Sequence, residues 1–177
     1  MNKLFSFFLF LILLTSKSGT AQKIMFSYGT TISVLQDEGR LTYGTFFPRY
    51  NFSESDNSSL SVGIPLSLGV GGIEDGGVFF VADFPVTVDL NLGCKSTSEN
   101  ESGFGGYIGA GFGYTYLGYN DGSGSEKVKQ VGPLVHAGFR FYISKNSSSA
   151  LDIGFFYKKG IDVDKLQSAG IRILLAH

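Results

Sequence analysis

His136 is the first residue whose chemistry asks for an explanation. It is one of two histidines in 177 residues, set in "LVHAGFRFY". An imidazole beside a serine and an orienting carboxylate would make a hydrolase's nucleophile site. Several serines are eligible, but no spacing in the chain forces one of them onto His136. The reading adopted is a histidine hydrogen-bonded into a buried polar network, and no catalytic residue is assigned. "GGYIGAGFGY", residues 105–114, has the glycines of a phosphate loop. A dinucleotide fingerprint turns from strand into helix, whereas this stretch continues as a strand. The acidic clusters "IEDGG" and "YNDGSGSEK" offer oxygens to a cation, yet neither matches the twelve-residue calcium loop. They read as solvated turns, and no metal or cofactor is expected. The last residue, His177, is expected to be solvated.

What the charged residues can do depends on where they point. From Gln22 onward no window holds a helical period, and short polar clusters separate alternating segments. Strands are expected near 23–35, 40–52, 59–71, 78–93, 103–118, 128–143, 150–159 and 166–176. In the first five the even positions are apolar, as in Leu60, Val62, Ile64, Leu66, Leu68 and Val70. After the longest separator the apolar phase is odd, as in Val135, Ala137, Phe139 and Phe141. Over 24–34, 42–52, 60–70, 80–92, 104–116, 131–143, 151–157 and 169–175 this face carries no Lys, Arg, Asp or Glu. The interleaved face carries Arg49, Asp83, Asp89, His136, Arg140, Asp152, Lys158 and Arg172, among many glycines and serines.

Volume decides which face is inside. Eight antiparallel strands closed on themselves leave an interior only just filled by side chains. The Phe-, Tyr-, Leu- and Ile-rich face is too bulky for it at normal packing density. The small polar face therefore points in, and the charge-free face points out, towards lipid. Segments of ten or more residues match the length of a tilted membrane-spanning strand. Aromatic residues fall near both rims if the strands alternate in direction. Phe26, Tyr50, Phe52, Phe104, Phe139 and Phe141 lie near one rim; Phe80, Tyr114, Tyr116, Phe155 and Tyr157 lie near the other. The fold expected is all-β: a closed eight-stranded antiparallel up-and-down transmembrane β-barrel.

The N-terminus agrees with that address. Residues 1–21 carry Lys3, an apolar run from Leu4 to Leu14 and small residues at Gly19 and Ala21, the pattern of a cleaved export signal. Eleven helical residues reach only about 16 Å, too short for a hydrocarbon core of roughly 30 Å. Cleavage leaves one domain, residues 22–177, with 12 basic and 15 acidic residues, a formal charge of −3. That balance gives no reason to expect nucleic acid as a partner. Cys94, the one cysteine, has no internal partner and reads as an incidental turn residue.

With the export signal ending "TAQ", the strands "RYNF" and "SLSVGIPLSLG", and the last strand "SAGIRILLAH", the chain resembles the small eight-stranded outer-membrane barrels. These are the OmpA-domain and OmpX type, and especially the short barrel proteins of Bacteroidota. The resemblance covers the mature chain and implies residence in the outer membrane, with its lipids and its assembly machinery as partners. The role expected is non-enzymatic: a barrel whose lumen is plugged by its own ion pairs, serving the envelope structurally or through interactions of its turns. The alternatives are a small porin-like channel and an outer-membrane lipid hydrolase using His136.

Four prolines, Pro48, Pro65, Pro85 and Pro133, fall mid-strand, where each removes a donor from the sheet and is expected to interrupt its strand. Hairpin turns centred near residues 55 and 74 bring Pro48 close to Gly63, and Pro65 opposite Phe84 and Pro85. A gap or bulge is expected where these three gather.

Overall fold

Alternation along the chain produces the sheet, and the sheet closes. The structure, a computed structural model, describes residues 24–36, 39–72, 78–120, 125–143, 148–161 and 165–177. The expected export signal, residues 1–21, lies outside the described residues, as do the turns 37–38, 73–77, 121–124 and 162–164. The strands are β1 (Ile24–Leu35), β2 (Gly39–Ser55), β3 (Ser58–Gly63), β4 (Leu66–Gly72), β5 (Val78–Gly93), β6 (Phe104–Asn120), β7 (Ser125–Tyr142), β8 (Ala150–Lys159) and β9 (Gln167–Ala176). All pairings are antiparallel, and β1 pairs with both β2 and β9. β3 and β4 are one stave split in two, so nine strands make a closed ring of eight. Closure leaves no edge to satisfy, which lipid requires of any spanning sheet.

The two faces sort as the alternation predicts, and the sorting is the reverse of a soluble protein's. Arg140 and Lys158 are each 1 % exposed, whereas Ile108 is 63 % and Phe104 66 % exposed. Rings stack along the outward surface, Phe26 on Phe46 and Phe139 on both Phe104 and Phe141. Phe80 packs against Tyr116 towards the opposite rim.

The stave holding Pro65 breaks at Ile64 and Pro65, and the reason is a shortage of donors. The Ile64 N–H donates to the Pro48 carbonyl at 3.0 Å, so these two residues face each other in the ladder. Pro48 has no N–H to return. The Ile64 carbonyl accepts instead from the Leu66 N–H at 2.8 Å, a tight turn around Pro65. On the other flank Gly63 pairs with Thr87 and Ser67 with Asp83, which sets Pro65 against Pro85. Two facing prolines can supply neither N–H of a ladder pair. The Thr87 hydroxyl reaches the Gly63 carbonyl from the lumen at 3.4 Å.

Only Pro65 interrupts its strand, which corrects the expectation for the other three. Pro48, Pro85 and Pro133 lie inside unbroken β2, β5 and β7. A single proline removes one donor on one side. The ladder holds because each remains in register on its other side: Pro48 with Phe26, Pro85 with Gly113, Pro133 with Phe112.

Candidate functional site

Eight inward positions expected to form a lumen network are all buried there: Arg49, Asp83, Asp89, His136, Arg140, Asp152, Lys158 and Arg172. They come from β2, β5, β7, β8 and β9, and the register groups them into layers. Nearest the chain termini, Arg140 Nε donates to Asp152 Oδ2 at 2.7 Å, and its guanidinium lies over the Tyr107 ring. The Tyr107 hydroxyl donates to the other Asp152 oxygen at 3.0 Å. Among the described residues Arg49 is bonded to no carboxylate. It donates to Asn91 Oδ1 and to the Lys95 carbonyl, both at 2.6 Å, and Arg140 shares the same Asn91 oxygen at 3.0 Å.

The middle layer is built on His136. Its Nε2 lies 2.7 Å from Asp89 Oδ1, which assigns the proton to Nε2 and leaves Nδ1 to accept from Arg172 Nη1 at 3.4 Å. The Arg172 guanidinium rests over the Phe156 ring, and its Nε and Nη2 have no protein partner among the described residues. Farther from the termini, Lys158 Nζ donates to Asp83 Oδ1 at 2.6 Å and also contacts the Thr115 hydroxyl. Thr115 donates to the same Asp83 oxygen. A chain of hydroxyls, Thr31, Thr45 and Ser67, lines the opposite wall. Buried charges persist only when paired and hydrogen-bonded, and two of the four lumen cations, Arg140 and Lys158, meet that condition through a carboxylate.

Inward glycines make the room. Gly109 faces the Asp89–His136 pair, and Gly113 faces the Lys158 stem. Tyr107 fills the hollow over Gly138 and Gly154.

Side chains and one connection of the chain pack across the two ends of the lumen. At the far end Leu35, Leu41, Tyr43, Val81, Leu117 and Leu166 form an apolar cluster, with Phe79 and Val128 against it. At the end holding the termini, the connection between β5 and β6, residues 94–103, folds back over the opening. It turns at Gly93 (φ 65°) and Lys95 (φ 55°), both left-handed. The Lys95 carbonyl accepts from Arg49, and the Ser96 carbonyl accepts from Asn51 at 2.9 Å and Ser59 at 2.6 Å. Tyr142 holds the Asn100 carbonyl at 3.0 Å, and Asn100 Nδ2 donates to the Asp56 carbonyl. This lid carries none of the charges that drew attention in the sequence. Its grip is on backbone carbonyls, which have no sequence signature.

Cys94, read as an incidental turn residue, is the root of that lid and fully buried beside Ala150 and Ala176. Burial pushes its thiol up from the ordinary range, and desolvation pulls the Lys95 ammonium down. A maleimide is therefore expected to label Cys94 in the folded barrel at least about tenfold more slowly than in the urea-unfolded chain. Equal rates would show that the lid is not seated.

His177 is exposed but engaged, where solvation alone was expected. Its ring stacks on Tyr28 with centroids 5.3 Å apart, and its backbone N–H donates to the Phe26 carbonyl at 2.9 Å. Ser149 and the Tyr28 hydroxyl lie within hydrogen-bond reach of its two ring nitrogens. Among the described residues no group of three or more His, Cys, Asp or Glu is placed to hold a metal ion. Among the described residues the hydrogen-bonding partners of His136 are Asp89 and Arg172, and no serine hydroxyl is one of them.

No protein-family model matches the chain, and no curated protein sequence matches it. Solved structures do. Ail, the attachment invasion locus protein of Yersinia pestis, is 16% identical over 89% of this chain and 97% of its own, with a TM-score of 0.61. Neisserial surface protein A (NspA) is 12% identical over 89% of this chain and 98% of its own, with a TM-score of 0.59. The N-terminal β-barrel domain of Pseudomonas aeruginosa OprF is 10% identical over 89% of this chain and all of its own, with a TM-score of 0.51. At such identities the likeness is one of fold, and the fold is that of the small outer-membrane β-barrel proteins.

Proposed function

We propose that the chain is an integral outer-membrane protein of the OmpA-domain and OmpX size class, exported by its N-terminal segment. Its barrel is a sealed, non-enzymatic structural body that meets other envelope components through its outer surface. The observation that carries this reading is the packing at both ends of the lumen, the 94–103 lid at one and the Leu35–Leu166 cluster at the other. Between them Arg140, Lys158 and His136 are each held by a carboxylate. The outward face supports the membrane address, since its large apolar residues are exposed and uncharged from rim to rim. Lipids around that band and the machinery that inserts barrels are the partners this reading requires.

Purified barrel reconstituted in a planar bilayer is expected to leave the current trace flat. Discrete conductance steps would replace the sealed reading with a small channel. A lipid-hydrolysis assay is expected to give the same background for the wild type and for His136→Ala. Turnover that disappears in His136→Ala would make the protein a hydrolase. Membrane fractionation with heat-dependent gel mobility tests the address itself, and recovery as a soluble protein would overturn it.

A further inference from the structure

The outward band is not smooth. Where β6, β7 and β8 lie side by side it sinks to Ala110 and Ala137 and rises again at Ile108, Val135, Phe155 and Tyr157. The result is an apolar groove of about 620 Å³. The register produces it. Ala110 sits opposite Val135, and Ala137 sits between Ile108 on one side and Phe155 on the other, so two small residues share one hollow. The groove is open along its length rather than enclosed, and its lining is almost wholly apolar. Its walls offer no charge, and they face the lipid.

One end of the groove is different. The Tyr157 hydroxyl donates to Gln167 Oε1 at 2.7 Å, and Lys159, the next outward residue on β8, stands opposite Gln167. Farther along the outward face of β7 come Lys129, opposite Tyr116, and Lys127, opposite Gly118. All three lysines are exposed. At about 3.3 Å per residue, Lys159 lies roughly 7 Å beyond Tyr157, and Lys129 roughly 20 Å beyond Val135. On these two strands the apolar groove thus runs out into a cationic rim, an arrangement matched by a molecule with a hydrocarbon chain and an anionic head.

We propose that the groove is a binding site for an anionic, phosphate-bearing membrane lipid. One acyl chain lies over Ala110 and Ala137, and the phosphate is held by Lys159, with Lys129 and Lys127 extending the cationic surface. This inference rests on the membrane address proposed above. It assigns one part of the barrel wall a preferred lipid, where the rest of the band takes any.

The test is native mass spectrometry of barrel released from nanodiscs holding equal amounts of phosphatidylglycerol and phosphatidylcholine. The wild type is expected to retain one phosphatidylglycerol, at least fivefold over phosphatidylcholine. Ala137→Phe and, independently, Ala110→Leu fill the groove from outside the lumen and are expected to cut retained lipid at least fivefold. Lys159→Gln is expected to keep the lipid and lose the preference. Equal retention of the two lipids by the wild type, or retention unchanged in both groove-filling variants, overturns the site. A dimer that Ala137→Phe abolishes also overturns it, by making a second copy the occupant. Heat-dependent mobility of each variant separates the two readings: an inserted barrel that keeps no lipid refutes only this one, and a chain that never inserts refutes the address.

Discussion

Replacing Asp152 with alanine is expected to destabilise the folded barrel by about 3–5 kcal/mol, the cost of stranding one member of a buried ion pair. Asp152 is wholly buried and accepts from both Arg140 and Tyr107. Without it Arg140 keeps only the amide oxygen of Asn91 and, more distantly, the Lys95 carbonyl. Neither carries a formal charge to offset the guanidinium. Water cannot reach the site easily, because the lid lies on one side of this layer and the His136 layer on the other. The paired variant Arg140→Leu with Asp152→Leu removes both charges and is expected to be far closer to wild type, since apolar replacement of a whole buried pair is often neutral. The chain has no tryptophan, so unfolding in denaturant is followed by circular dichroism or gel mobility. A loss below about 1 kcal/mol in the single variant would mean that Arg140 finds another anion or solvent.

A comparable loss is expected from Gly109→Val, for a different reason. Gly109 of β6 stands between Asp89 on β5 and His136 on β7 in the ladder. A Cβ there would collide with Asp89 Oδ1 and His136 Nε2, the two atoms that hold each other at 2.7 Å, and would sit 2.9 Å from the Val88 carbonyl oxygen. The side chains can move only by breaking their bond, and the carbonyl belongs to the ladder. Overpacking of this kind costs about 1–3 kcal/mol by itself, and separating the buried pair adds to it. Gly109→Ala is expected to lose much of the same stability, because the collision begins at Cβ. Gly103→Ala, where an added Cβ meets nothing within 4 Å, is the control and should stay within about 0.5 kcal/mol of wild type. If Gly103→Ala and Gly109→Ala are indistinguishable, the His136–Asp89 contact does not stabilise the fold.

Those two expectations show which part of the molecule is legible in the sequence. A period of two assigns every lumen charge to one face, and the switch of phase after "YNDGSGSEK" survives folding intact. Even the height of Pro48, Pro65 and Pro85 follows from turn positions, because in an up-and-down sheet register is arithmetic. The fate of each proline does not follow. Whether a missing N–H opens the sheet depends on which neighbour it would have faced, and at Pro65 both flanks lack a donor together. The pairing of charges is likewise a matter of three dimensions. Nothing in spacing alone joins Lys158 to Asp83 or sets Tyr107 against Asp152. Tyr107 was missed for that reason, although the register that places it opposite Gly138, with Gly154 beyond, would have shown a large ring facing two absences. The lid was missed for a deeper one. "CKSTSENESG" has the composition of any solvated turn, and it is held by carbonyl groups that every residue possesses.

The unmatched guanidinium of Arg172 has a consequence for the barrel wall as an electrical object. On the strands, four buried cations, Arg49, Arg140, Lys158 and Arg172, face three buried carboxylates, Asp83, Asp89 and Asp152. His136 has no negative charge to offset Arg172, and this formal excess of positive charge, in surroundings of low permittivity, favours a positive potential in the lumen. Seals at the two mouths hide that potential from solution. Strip them away, and the passage would not be an indifferent hole: it would admit chloride ahead of potassium, with a selectivity already written into the residues that now hold it shut.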